Sequence, residues 1–383
     1  MDGLFGRLAV LVVFALLPAA AIGGGLALPV IMCVGGALAL APRAIIQGFE
    51  SSPVTLSIFL LFWAWVVASS LWSPYPGHAQ AAKLAALIPL GLLFVAGGGR
   101  HGRLLLAAGC AAAIVLAGLL SIEALWGMPL NHAATPQTAL GELGRKVSRA
   151  STVLLSVGWA TAGAFLATDR PSFARAALLL FAILMLPFGQ LASLVAFGAG
   201  LCAFALAFAA PRFALWSVCG GLAAWVLAAP FLTPLILADP RLTEVLPLSW
   251  SARIGIWDYV CARIVEQPWL GHGLDASRAV TDRVQVAGLD IRAIQLHPHS
   301  ASLQIWFETG GVGAVLAALA LLSAGQALSQ SYAQHRIAAA AAAATIASIG
   351  VIANVSFGAW QEWWIATIMI AATFVRAVGA TRI

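Results

Sequence analysis

Charge is what this 383-residue chain has least of: 9% of its residues are Asp, Glu, Lys or Arg, against roughly a quarter in a soluble domain. Too few charges remain to cover a globule in water. With 62% hydrophobic residues and a mean hydropathy of +0.96, the surrounding solvent must be lipid. Lysine occurs only at Lys83 and Lys146, and no Lys/Arg run forms a tail or stripe. The formal charge of +6 is therefore dispersed over many loops, which reads as topology bias and contact with membrane lipids rather than nucleic-acid binding. Cys33, Cys110, Cys202, Cys219 and Cys261 include no CxxC pair, so neither a disulfide framework nor a cysteine metal site is indicated. No HExxH, GxSxG, Walker or GxGxxG motif is present, and no metal or cofactor is expected.

What is present is a series of apolar stretches long enough to cross a bilayer. Twelve are expected, at 4–22, 24–41, 54–71, 79–97, 104–125, 151–168, 173–188, 191–210, 213–235, 301–324, 337–357 and 361–379. The first reads as a retained span rather than a cleaved signal, because another apolar segment follows at once. One set of loops carries Arg7, Arg43, Arg100, Arg103, Arg170, Arg175, Arg212, Arg336, Arg376 and Arg382. The opposite short loops carry no Lys or Arg, a positive-inside pattern that puts both termini in the cytoplasm. The fold class is thus an all-α polytopic membrane protein, a single domain over 1–383, with a large outer loop at 236–300 between the ninth and tenth spans.

The outer loops break the charge rule. Loop 126–150 holds Arg145, Lys146 and Arg149, and loop 236–300 holds Arg241, Arg253, Arg263, Arg278, Arg283 and Arg292. Two uses are open: binding an anion, or pairing on a solvated surface with Asp239, Glu244, Asp258, Glu266, Asp275, Asp282 and Asp290. Within the large loop Trp250, Ile254, Trp257, Cys261 and Ile264 recur at helical spacing. That pattern predicts an amphipathic helix along the outer leaflet, with Arg253 near the phosphates. The alanine run 338–344 reads as a closely packed helix, not a linker.

The densest group of proton-handling residues is Leu296-His297-Pro298-His299-Ser300, where the large loop re-enters an apolar segment. In an extended stretch, residues two apart face one side, so both imidazoles could line one cavity. A neutral histidine accepts a proton from a hydroxyl; the alternative is a structural pair satisfied by backbone groups. Glu308, inside the tenth span, is costly in lipid; it could orient a histidine or pair with an arginine, the alternative being a helix-end carboxylate that reaches the interface. Arg149 and Arg253, both at the outer surface, could hold a diphosphate bidentately without metal. Glu362, among Trp360, Trp363 and Trp364, reads as part of an interfacial aromatic belt.

These residues fall in a pattern. His299-Ser300, nine residues, then Gly310-Gly311-Val312-Gly313 resembles the His-[Asn/Ser/Gln]-x9-Gly-x-x-Gly pattern of the O-antigen ligase family. Arg253 and Trp257, followed by Pro268-Trp269-Leu270-Gly271-His272-Gly273, resemble that family's Arg-Trp then Pro-x-x-Gly-x-Gly block, and Val147-Ser148-Arg149-Ala150 its Asn-Arg-Gly segment. The resemblance implies a metal-independent, inverting glycosyltransferase of GT-C-like architecture in the bacterial inner membrane, with its active site facing the periplasm. It would move a polysaccharide from undecaprenyl diphosphate to a sugar hydroxyl of lipid A–core in lipopolysaccharide biosynthesis. Carried onto this chain, His299 would be the catalytic histidine and Arg149 and Arg253 the diphosphate ligands. His297, Ser300, Glu308 and Arg145 would support them, and Gly310 and Gly313 would be the motif glycines.

The chain departs from the family where Ser148 and Ala150 replace Asn and Gly, and Ser300 the commoner Asn. It also lacks the arginine many members carry between the seventh and eighth spans, leaving Gln190 as a polar substitute. The same scaffold also accommodates a polysaccharide polymerase or a protein-glycosylating ligase. A transporter of lipid-linked sugar fits less well, since no inverted repeat or charge deep in the spans is evident.

Overall fold

The computed structural model describes residues 2–39, 52–76, 78–188, 190–238, 248–286 and 289–380. Of the residues named above, Arg43, Asp239, Arg241, Glu244 and Arg382 lie outside them. In chain order the helices are α1 Asp2–Ile22, α2 Leu28–Leu38, α3 Pro53–Ala68, α4 His78–Gly98, α5 Gly102–Leu125, α6 Pro129–Ala134 and α7 Leu140–Ala167. They continue with α8 Pro171–Ile183, α9 Leu191–Ala209, α10 Pro211–Leu237, α11 Leu248–Ile264, α12 Ala301–Tyr332, α13 Arg336–Val355 and α14 Glu362–Ala380. Pro53, Pro129, Pro171 and Pro211 each open a helix, where the missing N–H has no intrahelical partner to lose.

Ten helices among the described residues are long and apolar enough to cross a membrane. The expected second and seventh spans are represented by α2 and α8, of 11 and 13 residues. At 1.5 Å per residue these are only about 17 and 20 Å long, short of a hydrocarbon core of about 30 Å. The polytopic α-helical class stands, with ten candidate spans in place of twelve. One feature outside that class is an antiparallel ribbon, β1 Arg283–Val286 with β2 Leu289–Arg292, in register Arg283 to Arg292.

The centre of the bundle is α7, in which every residue from Ala150 to Ala164 is buried. Three of its hydroxyls are satisfied within the helix: Thr152 Oγ1 donates to Ser148 O, Ser156 Oγ to Thr152 O and Thr161 Oγ1 to Val157 O. The alanine run of α13 is buried throughout, and its lack of side-chain bulk lets neighbouring helices close in. There Trp159 Nε1 donates to Ser348 Oγ (2.8 Å), which donates to Ala196 O (2.8 Å), tying α7, α13 and α9 together.

Helix α11 forms where the spacing predicts. Its buried residues Ile256, Val260, Cys261 and Ile264 pack with Ala229 of α10 and with Leu303 and Phe307 of α12. The expected aromatic belt is not one: Trp360, Trp363 and Trp364 are buried in the protein core, while Glu362 pairs with Lys83 at 2.9 Å.

The decisive irregularity lies inside α12. Gly310 has φ +66° and ψ −170°, a region essentially reserved for glycine. The break frees helix-interior groups, and the segment 268–273 crosses there to bond them. His272 N–H donates to Phe307 O (2.8 Å), Gly273 N–H to Glu308 O (2.8 Å), Gly311 N–H to Pro268 O (2.7 Å) and Val312 N–H to Trp269 O (3.3 Å). Trp65 Nε1 takes the remaining carbonyl, of Thr309 (3.0 Å). Freed backbone at this depth needs such partners, because lipid offers none. The approach is backbone to backbone: a Cβ on Gly310 would collide with Trp269 O, and one on Gly271 would sit 2.6 Å from Gly310 N.

Gly310→Ala therefore introduces a forbidden backbone and a clash, and should lower stability by about 3 kcal/mol or more. Gly118, whose added Cβ meets nothing within 4 Å, is the control: Gly118→Ala should be neutral or stabilising by up to ~1 kcal/mol. Thermal unfolding of the purified protein in detergent compares the two.

Candidate functional site

The crossing at Gly310 fixes the start of α12, and the histidines stand immediately before it. Ser300 is the N-cap: its Oγ accepts from Leu303 N–H (3.4 Å) and its carbonyl from Gln304 N–H (2.9 Å). Ser302 bonds Asn354 Oδ1 of α13 through both N–H (3.3 Å) and Oγ (2.6 Å). The helix end is thereby locked to the segment 354–361, which forms the other wall of the site.

His299 is not in the extended conformation expected. Its φ is +59°, a left-handed geometry that costs a non-glycine residue roughly 1–2 kcal/mol. Three contacts hold it there. His299 N–H donates to His297 Nδ1 (3.2 Å), Trp257 Nε1 donates to Pro298 O (2.8 Å), and His299 Nδ1 bonds Ser356 O (2.6 Å). The two imidazoles still meet, edge to face, with centroids 4.4 Å apart.

These bonds set the tautomers. A carbonyl only accepts, so His299 Nδ1 carries the proton and Nε2 is left with a free lone pair. His297 Nδ1 must accept from His299 N–H, so its proton is on Nε2. Burial pushes His299 below the usual histidine range and Arg253 adds to this, against the Ser356 hydrogen bond. His297, 7% exposed, is pushed further down by burial, then by His299, Arg278, Arg253 and Arg149. Both rings are thus neutral; Arg253 acts on both, and Arg278 and Arg149 on His297.

The loop arginines divide into two groups. Arg145 pairs with Glu142 (2.6 Å), Arg263 with Glu266 (2.8 Å), Arg278 with Asp275 (3.2 Å) and Arg283 with Asp290 (2.6 Å). Arg292 donates to the carbonyls of Val280 and Arg278. Among the described residues Arg292, Arg149 and Arg253 have no carboxylate partner, and Arg292 is held by its two carbonyls. Arg149, just before the wholly buried part of α7, donates to Gly24 O (3.3 Å) and lies over the Trp363 ring. Arg253 donates to Ser249 O (3.4 Å) and lies over the Trp250 ring, with its Nε buried and without a hydrogen-bond partner. Burial holds Arg253 below the usual arginine range. Two largely unneutralised guanidinium groups beside neutral imidazoles make a site fitted to an anion.

Glu308 is fully buried, and it touches neither a histidine nor an arginine. Its carboxylate accepts from Ser277 Oγ (2.5 Å), Asp275 N–H (2.7 Å), Trp360 Nε1 (2.6 Å) and Gln304 Nε2 (3.1 Å). Four donors from three segments offset the desolvation of one charge. Arg145 is exposed and its ion pair is of the weak surface kind. Gln190 Oε1 accepts from Ser151 and Ser193, leaving its Nε2 buried without a partner among the described residues. His272 Nε2 bonds Arg263 O (3.1 Å) and its ring stacks on Phe307, which makes it a fastener of α11. Among the described residues no three His, Cys, Asp or Glu side chains gather as metal ligands would.

Sequence reasoning did not find the parts of the site supplied by Ser356, Ser277, Asp275 and Arg278. Ser356 acts through its carbonyl, which every residue has. Arg278 was one of several loop arginines, and only its neighbours in space distinguish it.

The family model described as O-antigen ligase matches residues 175–318, a stretch that includes Arg253, His299 and Gly310 and excludes Arg149. Relatives named as candidate polysaccharide ligases align over the same order of length. One from Rickettsia conorii is 28% identical over 123 residues, 31% of this chain and 29% of the relative. One from Rickettsia bellii is 29% identical over 186 residues, 46% of this chain and 45% of the relative. The chain thus spans less than half the length of the curated relatives it matches. The match falls on the segments that cross at Gly310 and carry the histidines, and over that stretch the chain is similar to the O-antigen ligase family.

Proposed function

We propose that this protein transfers a polysaccharide from undecaprenyl diphosphate to a sugar hydroxyl of lipid A–core, without metal and with inversion at the anomeric carbon. The observation that carries the reading is the His299 Nδ1 bond to Ser356 O, which leaves Nε2 as a proton acceptor in a neutral ring. In this scheme the acceptor hydroxyl gives its proton to His299 Nε2 as its oxygen attacks C1. The diphosphate departs on the opposite face, held by Arg149 and Arg253. His297 acts as a positioning residue, since its Nδ1 pins the strained backbone of His299. Ser300 caps the helix that aims the pair. Reaction at the periplasmic face of the inner membrane, both termini in the cytoplasm, and a GT-C-like single membrane domain belong to the same reading. They are supported by the arginine distribution among the short loops.

A polymerase on the same scaffold is the competing reading, and the ligase names of the Rickettsia relatives favour transfer to a separate acceptor. The lipopolysaccharide profile of a deletion strain separates them. Loss of the whole ladder with lipid-linked long polymer accumulating is expected, whereas core bearing a single repeat would identify a polymerase.

His299→Ala should lower in vitro transfer by roughly 10²- to 10⁴-fold with donor binding retained, and the wild-type protein should keep full activity with chelator. The pH profile follows from the direction of the shift. Only neutral His299 accepts a proton, so kcat should be flat at neutral pH and fall on the acid side, below the ordinary histidine value. Arg253→Gln removes a charge that opposes protonation, so at saturating donor its acid limb should move to higher pH; an unmoved limb would take His299 out of the role of base.

His297→Asn retains an acceptor near the position of Nδ1, while His297→Ala leaves the His299 N–H unpartnered. The Ala variant should lose activity by about tenfold or more and the Asn variant much less. Equal loss in both would mean that His297 touches substrate.

A further inference from the structure

Arg278 reaches the same pocket as His297 and has no part in the scheme above. It follows a turn anchored to α12 on both sides of residue 276: Asp275, at φ +62°, bonds Glu308 through its N–H, and Ser277 through its hydroxyl. Because Glu308 is also gripped by Gln304 and Trp360, the turn cannot shift without breaking a buried four-donor carboxylate site. The position of Arg278 is set by that anchorage. Its Nε faces Asp275 Oδ2 at 3.2 Å, and its Cζ lies 6.0 Å from the centroid of the Tyr75 ring. Its two terminal amino groups have no hydrogen-bond partner among the described residues. With the side chain one-third exposed, it lines a pocket together with His297, Gln304, Trp360 and Gln361.

Asp275 is the counter-ion of Arg278. Its side chain is 9% exposed, and burial raises its carboxyl against the pull of Arg278. Lys83 and Glu362, a pair at 2.9 Å, act on Asp275 with opposite signs. Of the three arginines acting on His297, Arg278 acts most strongly.

We propose that Arg278 is a third phosphate-facing cation, the one that takes up the charge created on the leaving diphosphate, and this rests on the glycan-transfer reading. A diphosphate esterified at both ends carries two negative charges. As the bond from C1 to the phosphate oxygen breaks, its electron pair stays on that oxygen and a third charge appears. The acceptor oxygen completes the new bond to C1, and its proton goes to His299 Nε2. Arg149 and Arg253 match the charge of the bound donor; Arg278, paired with Asp275, is the third guanidinium, and it turns from that carboxylate to the charge that appears on the departing product. A cation matched to charge that exists only late in the reaction accelerates it rather than merely tightening substrate binding.

The test is binding of undecaprenyl diphosphate, with phosphatidylglycerol as the comparison phosphate, to the purified full-length protein in detergent. Wild type, R278Q, R278Q/D275N, R278K and R253Q are compared, alongside steady-state transfer. R278Q and R278Q/D275N should both bind undecaprenyl diphosphate roughly 10- to 100-fold more weakly than wild type, with R278K between. In transfer, kcat should fall more than the donor KM rises. The double variant removes both charges of the pair, so wild-type affinity in it would mean that Arg278 serves only to neutralise Asp275. Weakened binding in R253Q with unchanged binding in R278Q would overturn the third cation and leave the donor reading standing. Wild-type protein that binds both lipids equally well would overturn the donor reading itself.

Discussion

Two stretches of backbone meet with no side chain between them where Gly310 breaks α12 and residues 268–273 cross it. A helix in lipid keeps its hydrogen bonds to itself, and an interruption is tolerated only where another part of the protein takes up the freed groups. Here four backbone bonds and the Trp65 indole do so. Much follows from this one constraint. It fixes the loop that carries Asp275, Ser277 and Arg278. It turns Glu308 toward donors from three segments, and it stabilises the first turns of α12, on whose N-cap the histidines depend. The two glycine motifs, some forty residues apart in sequence, are a single structural object.

The site built on that crossing combines neutral bases with largely unneutralised cations. In water, arginines and histidines clustered together would recruit carboxylates or counter-ions. Here Glu142, Glu266 and Asp290 pair with Arg145, Arg263 and Arg283, Asp275 with Arg278 beside His297, and Arg149 and Arg253 face aromatic rings and carbonyls instead. Keeping such charges together is unfavourable unless an anion offsets them, which is the part the proposed diphosphate donor would play. Burial and the surrounding arginines keep the imidazoles unprotonated, which a proton acceptor requires. The left-handed backbone of His299 is a further local cost, held by three hydrogen bonds, of a kind that persists where the surroundings over-determine the geometry.

Much of this was legible in the chain. Scarcity of charge and the length of the apolar runs identify a polytopic membrane protein, because no other solvent accommodates such a surface. The spacing from His299 to Gly310 and Gly313, through the family resemblance it carries, singled out the second histidine, and Arg149 and Arg253 were already among the arginines that break the loop charge pattern. Other inferences failed for definite reasons. Residues 28–38 and 171–183 are apolar enough for spans, but hydropathy does not reveal where a helix stops. Trp360, Trp363 and Trp364 have the composition of an interfacial belt, yet whether a tryptophan faces lipid or protein depends on what packs against it. The β1–β2 ribbon was hidden in a loop read only for its charges.

The sequence by itself determined the class of fold, the residue types available for chemistry and the positions where only glycine is tolerated, because solvation and backbone sterics are local properties. The histidine stretch with which proton chemistry was associated was, on sequence grounds, a pair with two open readings. Tertiary structure decided which nitrogen of His299 is free, through the carbonyl of Ser356 just past the end of α13, and which nitrogen of His297 accepts from His299, neither of which carries a sequence signal. It also decided that Glu308 holds a turn rather than a histidine, and that Arg278 stands beside His297. Those are relations between segments distant in the chain, and they exist only once the backbone crossing at Gly310 has brought the segments together.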